Sequence, residues 1–311
     1  MTIENKKRAA KDRGARRKPG RHGPAASVSK TAKPADVSAQ GERIAKVLAR
    51  AGLCSRRDAE RWIADGRVYV NGKKLASPAL NVGPGDQIVV DDKPLPTREP
   101  ARLWRYHKPK GLVTTHKDPE GRATVFDRLP GNLPRTISVG RLDVNTEGLL
   151  LLTNDGGLAR ILELPSTGWL RRYRVRAFGD TTQAELDKLS NGLTVDGIRY
   201  GPIEARFERE QGDNVWLTLA LREGKNREVK RILEHLGLKV NRLIRVSYGP
   251  FLLGDLPTGA VEEVKPRILR DQLGERLITD GQIVLPETKT TTTRAAATRA
   301  PLHAKPRKGG S

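Results

Sequence analysis

The chain has 311 residues, 58 of them lysine or arginine against 36 acidic ones, for a formal charge of +22. That length holds about two domains plus tails, and that charge points to a polyanionic partner, nucleic acid ahead of an anionic membrane surface. A single cysteine excludes an internal disulfide and fits a reducing cytoplasm, and beside five scattered histidines it leaves no zinc cluster.

Residues 1–40 carry eleven basic and three acidic residues and almost no large apolar ones. They cannot bury enough surface to offset chain entropy and read as a disordered basic tail. The opening "MTIENKKRAAKDRGARRKPG" has no apolar core of a secretory signal, and Glu4 and Asp12 interrupt it as a transit peptide. No apolar run reaches the roughly 18 residues a membrane helix needs. Residues 286–311, with six basic residues and one acidic, read as a second disordered tail, so the body between the tails keeps +9.

Residues 41–95 read as a compact unit of two short helices and a small sheet. In "ERIAKVLARAG" the residues Ile44, Val47, Leu48 and Ala51 share a helical face that Gly52 ends. In "SRRDAERWIADG" Ser55 is an N-cap with Asp58 three residues on, and Ala59, Trp62 and Ile63 are the apolar face. "RVYVNGKKL" is a hairpin turning at Asn71-Gly72, and "DQIVVDD" a later strand. Arg56, Arg57 and Arg61 fall on one exposed side of the second helix, with Lys73 and Lys74 beyond, an arrangement suited to phosphate contacts. Cys54 reads as a packed small residue.

"PTREPAR" is a short linker, after which residues 103–285 change to strands with interspersed helices. "RYHKPKGLVTT", "RTISVGRL", "GLLLLTND", "RRYRVRAFG", "VWLTLALREG" and "NRLIRVSYG" are strand-like. "LARILELP", "QAELDKLSNG" and "NREVKRILEHLG" are helix-like. Strands outnumber helices without regular alternation, which predicts an α+β fold with a mixed, largely antiparallel sheet.

The densest stretch is "GRLDVNTEGLLLLTNDG", Gly140 to Gly156. Asp143, Asn145, Glu147 and Gly148 imitate the first half of a calcium loop, but its ninth and twelfth positions fall on Leu151 and Asn154, which lack the required carboxylate. Leu149–Leu152 read instead as a strand buried on both faces. Such a strand anchors the preceding loop, where Arg141 and Asp143 alternate with Leu142.

This stretch resembles the signature of the RsuA/RluB/RluE/RluF group of pseudouridine synthases. "HKPKGLVTTHKDPEGRATVFDRLP" upstream, and "RRYRV" and "EGKNREVKRILEHLG" downstream, resemble the group's other segments in order. "RIAKVLARAGLCSRRDAERWIADGRVYVNGKKL", with the later "VGPGDQIVV", resembles the S4 RNA-binding domain. The resemblance implies an S4-type domain followed by a catalytic domain that isomerises uridine to pseudouridine. Asp143 is then the nucleophile or base, Lys230 its basic partner with Arg231 the adjacent competitor, Tyr173 the aromatic that stacks on a flipped uracil, and Arg141 a loop or RNA contact. Arg231, like Arg56, Arg57, Arg61 and Lys73, is otherwise a phosphate contact. An Asp at such a site needs a nearby cation if it is buried. Arg227-Glu228 stands where the group often has His-Gln.

No cofactor or metal is implied. The implied partner is ribosomal RNA or a pre-ribosomal particle, met in the cytoplasm by a monomer. The basic extensions and the "PEGRATVFD" form lean towards the large-subunit RluB type. A small-subunit enzyme of the RsuA type, or a non-catalytic S4-domain protein of ribosome assembly, is the alternative.

Overall fold

The computed structural model describes residues 41–287. The two expected disordered tails, 1–40 and 286–311 beyond Glu287, lie outside the described residues. The N-terminal part runs β1 (Glu42–Arg43), α1 (Ile44–Arg50), α2 (Arg56–Ala64), β2 (Val68–Val70), β3 (Lys73–Lys74), β4 (Asn81–Val82), β5 (Ile88–Val90) and β6 (Lys93–Pro94).

Local chemistry explains these elements. Ser55 accepts a hydrogen bond from Asp58 N while the Asp58 carboxylate accepts from Ser55 N, closing the expected capping box. Asn71 and Gly72, at φ of 51° and 73°, make the hairpin turn between β2 and β3. Strands order as β3-β2-β5-β6 in an antiparallel sheet. Ile44, Leu48, Ala59, Ile63, Val68 and Ile88 fill a core of their own between helices and sheet. Cys54 is buried in it, and burial pushes its thiol up to about 11, so it packs rather than reacts.

The larger part runs β7 (Leu103–Lys108), β8 (Ile137–Val139), β9 (Thr146–Thr153), α3 (Gly156–Glu163), β10 (Arg171–Phe178), α4 (Gln183–Asp187), β11 (Leu193–Val195), β12 (Ile198–Tyr200) and β13 (Ile203–Gln211). It continues with β14 (Asn214–Leu221), α5 (Glu228–His235), β15 (Lys239–Tyr248), β16 (Phe251–Leu252), β17 (Val261–Glu263) and α6 (Pro266–Asp280). A nine-stranded sheet follows the order β13-β14-β10-β15-β9-β7-β17, with β16 on β15 and β8 on β9. Its pairings are antiparallel except β9 with β15. The fold is therefore α+β with a mixed, mostly antiparallel sheet.

The four leucines explain the centre of that sheet. Leu150 and Leu152 enter one core with Trp104, Val175 and Ile232 of α5, while Leu149 and Leu151 enter the opposite core with Leu158 of α3 and Leu269 of α6. All four are fully buried.

One edge of β9 is shared. Thr146–Gly148 pair with Leu243–Arg245 of β15, and Leu151–Thr153 pair with Ile137–Val139 of β8. The sheet forks there, and the loop from Gly140 to Asn145 crosses the fork.

Several features depart from the sequence reading, among them the strand expected over "RYHKPKGLVTT", which ends at Lys108 as the chain turns beneath the Asp143 loop. α6 was not foreseen: Gly274 interrupts it at φ 68° and blurs its period. The linker is fastened rather than free, since Arg98 donates to Asp155 Oδ2 at 2.7 Å and to Gln282 O at 3.1 Å.

Candidate active site

Asp143 sits on the loop that crosses the fork, and short bonds fix that loop on every side. Gly140, at φ 67°, turns the chain out of β8, and its N–H donates to Glu163 Oε1 at 2.6 Å. Leu142 points into the core and its carbonyl accepts from Thr114 Oγ1 at 2.8 Å. Thr146 N donates to Asp143 O at 3.0 Å, closing a turn before β9. Gly111 N donates to Val144 O at 2.8 Å. The upstream "KPKGLVT" segment is therefore the floor beneath the Asp143 loop.

Lys108 is the main bolt in that floor. It is fully buried, and its ammonium donates to the carbonyls of Pro109, Val144 and Thr146 at 2.9, 3.2 and 3.0 Å. Burial pushes it down to about 8, against the pull of the Asp143 and Glu147 carboxylates. In the sequence its only signal is a charged residue at the end of an apolar strand.

With Leu142 turned inward, Arg141 and Asp143 both line a cavity of about 940 Å³. Lys230, in the first turn of α5, brings Nζ within 3.4 Å of Asp143 Oδ2. Asp143 is not a buried carboxylate, since its side chain is 38% exposed, whereas the Lys230 side chain is 13% exposed. The pair thus lies at the mouth of the cavity, with the aspartate the more open partner. Tyr173 on β10 is 9% exposed and lines the same cavity. A register shift between Arg172 and Tyr173 in the β10–β15 pairing re-aims the strand there.

The structure brings Asp143, Lys230, Tyr173 and Arg141 together and leaves Arg231 off the cavity wall. Between the two adjacent bases of α5, Lys230 is the one that faces Asp143. Arg56, Arg57, Arg61 and Lys73 are exposed on the N-terminal unit, away from the cavity lining. Arg61 is engaged by Asp58 one turn earlier.

The rest of the wall was not foreseen. Arg171, buried on β10, donates to the carbonyls of Trp169 and Glu223 at 3.2 and 3.3 Å and to Tyr248 Oη at 2.9 Å, holding the loop before α5. Arg245 donates to Leu149 O at 2.7 Å from the next strand. Glu228, at the start of α5, accepts from Lys225 N at 2.9 Å, and burial pushes its carboxyl up to about 7. Seven basic and four acidic side chains line the cavity, a balance that suits an anionic substrate. Among the described residues no group of three or more His, Cys, Asp or Glu side chains could hold a metal ion.

The chain that carries this cavity has relatives among known proteins. The S4 domain family matches residues 42–88, and the RNA pseudouridylate synthase family matches residues 102–235. A Rickettsia felis protein described as an uncharacterized RNA pseudouridine synthase is 50% identical over 228 residues, covering 73% of this chain and 99% of that one. The Pseudomonas aeruginosa ribosomal large subunit pseudouridine synthase B is 45% identical over 245 residues, covering 75% of this chain and 63% of that protein, so the chain matches under two thirds of its length. A solved structure titled as a pseudouridylate synthase superposes with a TM-score of 0.53 at 26% identity, covering 75% of this chain and all of that one. With half its residues identical over nearly the full length of its Rickettsia relative, the chain belongs to the family of RNA pseudouridine synthases, isomerases that act on RNA.

Proposed function

We propose that this enzyme isomerises one uridine of ribosomal RNA to pseudouridine, in the large subunit, with Asp143 as its catalytic carboxylate. The observation that carries the reading is the 3.4 Å approach of Lys230 to Asp143 at the mouth of a basic cavity that Tyr173 also lines. The large-subunit assignment rests on relatives so named at 45% identity, in Pseudomonas aeruginosa and Haemophilus influenzae.

In this reaction the N1–C1′ bond breaks, uracil rotates, and a C5–C1′ bond forms; C5 gives up a proton and N1 gains one. The balance closes with no redox partner and no group donor. A target uridine in folded RNA is first extruded from its stack, at a cost of a few kcal/mol. Asp143, open enough to meet the extruded nucleotide, acts first as nucleophile at C1′, as base at C2′ or as nucleophile at uracil C6. Lys230 supplies the neighbouring positive charge, and Tyr173 offers a ring for the uracil to stack upon. Arg141, exposed on the same loop, is placed to touch the RNA as the base leaves it.

Residues 41–95 serve as the RNA-binding module and 103–285 as the catalytic domain. Arg56, Arg57, Arg61 and Lys73 contact phosphates from the first, and Arg231 from the second. The enzyme acts as a monomer on RNA or a pre-ribosomal particle in the cytoplasm, where such RNA is its substrate. No described helix is long and apolar enough to cross a membrane.

The test is conversion of unmodified large-subunit and small-subunit RNA by purified protein, mapped by nucleotide. Pseudouridine at one large-subunit position is expected. Conversion confined to small-subunit RNA overturns the subunit assignment, and none on either RNA or on precursor particles overturns the ribosomal one.

A further inference from the structure

A second cavity, of about 520 Å³, lies between the N-terminal unit and the catalytic body. Five basic side chains line it, Lys46, Arg50, Arg56, Arg160 and Arg276, against one acidic residue, Asp280. We propose that this groove is a second RNA site, which grips the phosphodiester backbone of the RNA flanking the uridine held in the first cavity. The proposal rests on the RNA-isomerase reading above and extends it to a surface that chemistry at Asp143 does not use.

The groove is a built junction. Asp155 caps α3 by accepting from Gly157 N and Leu158 N at 2.8 and 2.9 Å, and it also faces two arginines. Arg98 reaches it at 2.7 Å from the linker, and Arg50 Nε at 3.7 Å from α1. The Arg50 side chain is 6% exposed, and its Nε has no hydrogen-bond partner among the described residues. It lies so close over α3 that a Cβ on Gly157 would stand 2.5 Å from its Nη2 and 2.4 Å from Gly281 O. Glycine at 157 is therefore a requirement of the close docking of α1 on α3.

Charge and position then name the occupant. Lys46 and Arg50 are matched by Glu42 and Asp155, but Arg56 and Arg160 are exposed without an ion-pair partner among the described residues. The Arg276 side chain is 92% exposed and 3.8 Å from Asp280. Trp169 also lines the groove, its ring packed against Tyr248, Phe251 and the Gly249 backbone, so the cations and not a stacking ring supply the grip.

The groove also adjoins the first cavity across a single segment. Glu163 and Pro165 line the catalytic cavity, while Leu164, Ser166 and Thr167 line the groove. One chain thickness, roughly 5 Å by the spacing of neighbouring chains, separates them. RNA leaving the catalytic mouth over that segment enters the groove directly.

The experiment is RNA binding against salt for the full chain and for Arg160→Ala/Arg276→Ala, two exposed positions, with folding checked by circular dichroism. The probes are an unmodified large-subunit RNA domain and a short hairpin cut from it, and pseudouridine formation by wild type is scored on the same RNA. Each phosphate contact removed lowers the slope of log K against log salt by about 0.7 to 0.9. The double variant is expected to lose about 1.5 from that slope on the long RNA, with the loss absent on the hairpin. An unchanged slope and affinity on the long RNA overturns the groove, even if wild type converts that RNA. An equal loss on both RNAs also overturns it, because the arginines then act at the first cavity. If wild type converts neither RNA while the long-RNA slope still falls, the groove stands and the isomerase reading of this substrate fails.

Discussion

Lys230 and Asp143, 87 residues apart in sequence, meet at 3.4 Å because α5 packs beside the fork that β9 shares between β15 and β8. The ammonium is the more buried partner and the carboxylate the more open one. A carboxylate presented this way is kept by its neighbour and offered to the substrate. On the role proposed for Asp143, Asp143→Asn keeps shape and removes the reacting carboxylate, so turnover is expected to fall by at least about 10²- to 10⁴-fold while RNA affinity stays near wild type. Lys230→Met is expected to lower kcat by about 10²-fold. Pseudouridine formation and filter binding, measured together, check both; an active Asp143→Asn enzyme would remove Asp143 from the chemistry.

Lys108 acts at one remove. Its three carbonyl partners include Val144 and Thr146, which flank the turn that follows Asp143. Lys108→Met refills the space without the donors. Three buried carbonyls lose a charged donor, which costs about 1 to 3 kcal/mol of stability, and the loop loses its bolt. A fall in kcat of about 10-fold or more is expected, by analogy with small misplacements of reacting groups, with Kd for RNA unchanged. Equal changes in kcat and Kd would instead mean that the fold around the loop has failed.

Glu228 supplies a pH prediction. Burial raises its folded-state carboxyl to about 7 from an ordinary 4.5. Between those values the folded state binds more protons than the unfolded one, so stability falls as pH rises through that window. Below it the neutral acid is favourable to folding; above it the full cost of a buried carboxylate remains, about 3 kcal/mol for a shift of this size. Glu228→Gln has no such titration. Urea denaturation of both proteins from pH 4.5 to 8 is expected to show the variant gaining on wild type by up to about that amount. A constant difference would mean that Glu228 is already ionised in the fold at the low end.

The residues that share the candidate cavity were far more legible in the sequence than those that support them. Asp143, Tyr173 and Lys230 lie within contiguous motifs, and the alternation of Arg141, Leu142 and Asp143 puts both polar chains on one side if the segment is extended. That alternation holds although Gly140 leaves the extended region. Leu149–Leu152 were readable because an apolar run too short for a helix is the mark of a strand covered on both faces. The supporting groups were not readable, because each works through a distant partner. Lys108 meets carbonyls 36 and 38 residues away, Arg171 holds a loop 52 residues away, and Asp155 is met from 57 residues away by Arg98. The hairpin of β11 and β12 escaped notice although Asp196-Gly197 marks its turn, and α6 was hidden by Gly274.

Gly148 tests whether the fork itself sets the site. It is the last β9 residue paired to β15, at φ 102°, where a Cβ would stand 2.3 Å from Arg245 O and 2.7 Å from Arg245 N. The obstacle is backbone on the neighbouring strand, so no rotamer change relieves it, and the dihedral is strained for any side chain. Gly148→Ala is expected to cost about 3 to 5 kcal/mol, from left-handed strain together with overpacking. The parallel pairing that fixes Asp143 relative to the cavity wall would open first. Thermal and urea unfolding measure the stability loss. Hydrogen exchange at the amides of residues 243–245 reads the local one, and rapid exchange there with slow exchange at Leu151–Thr153 is the expected pattern. Wild-type stability in Gly148→Ala would mean that β9 and β15 can separate at the fork without consequence, and the close approach of those strands would then not be what holds the catalytic loop.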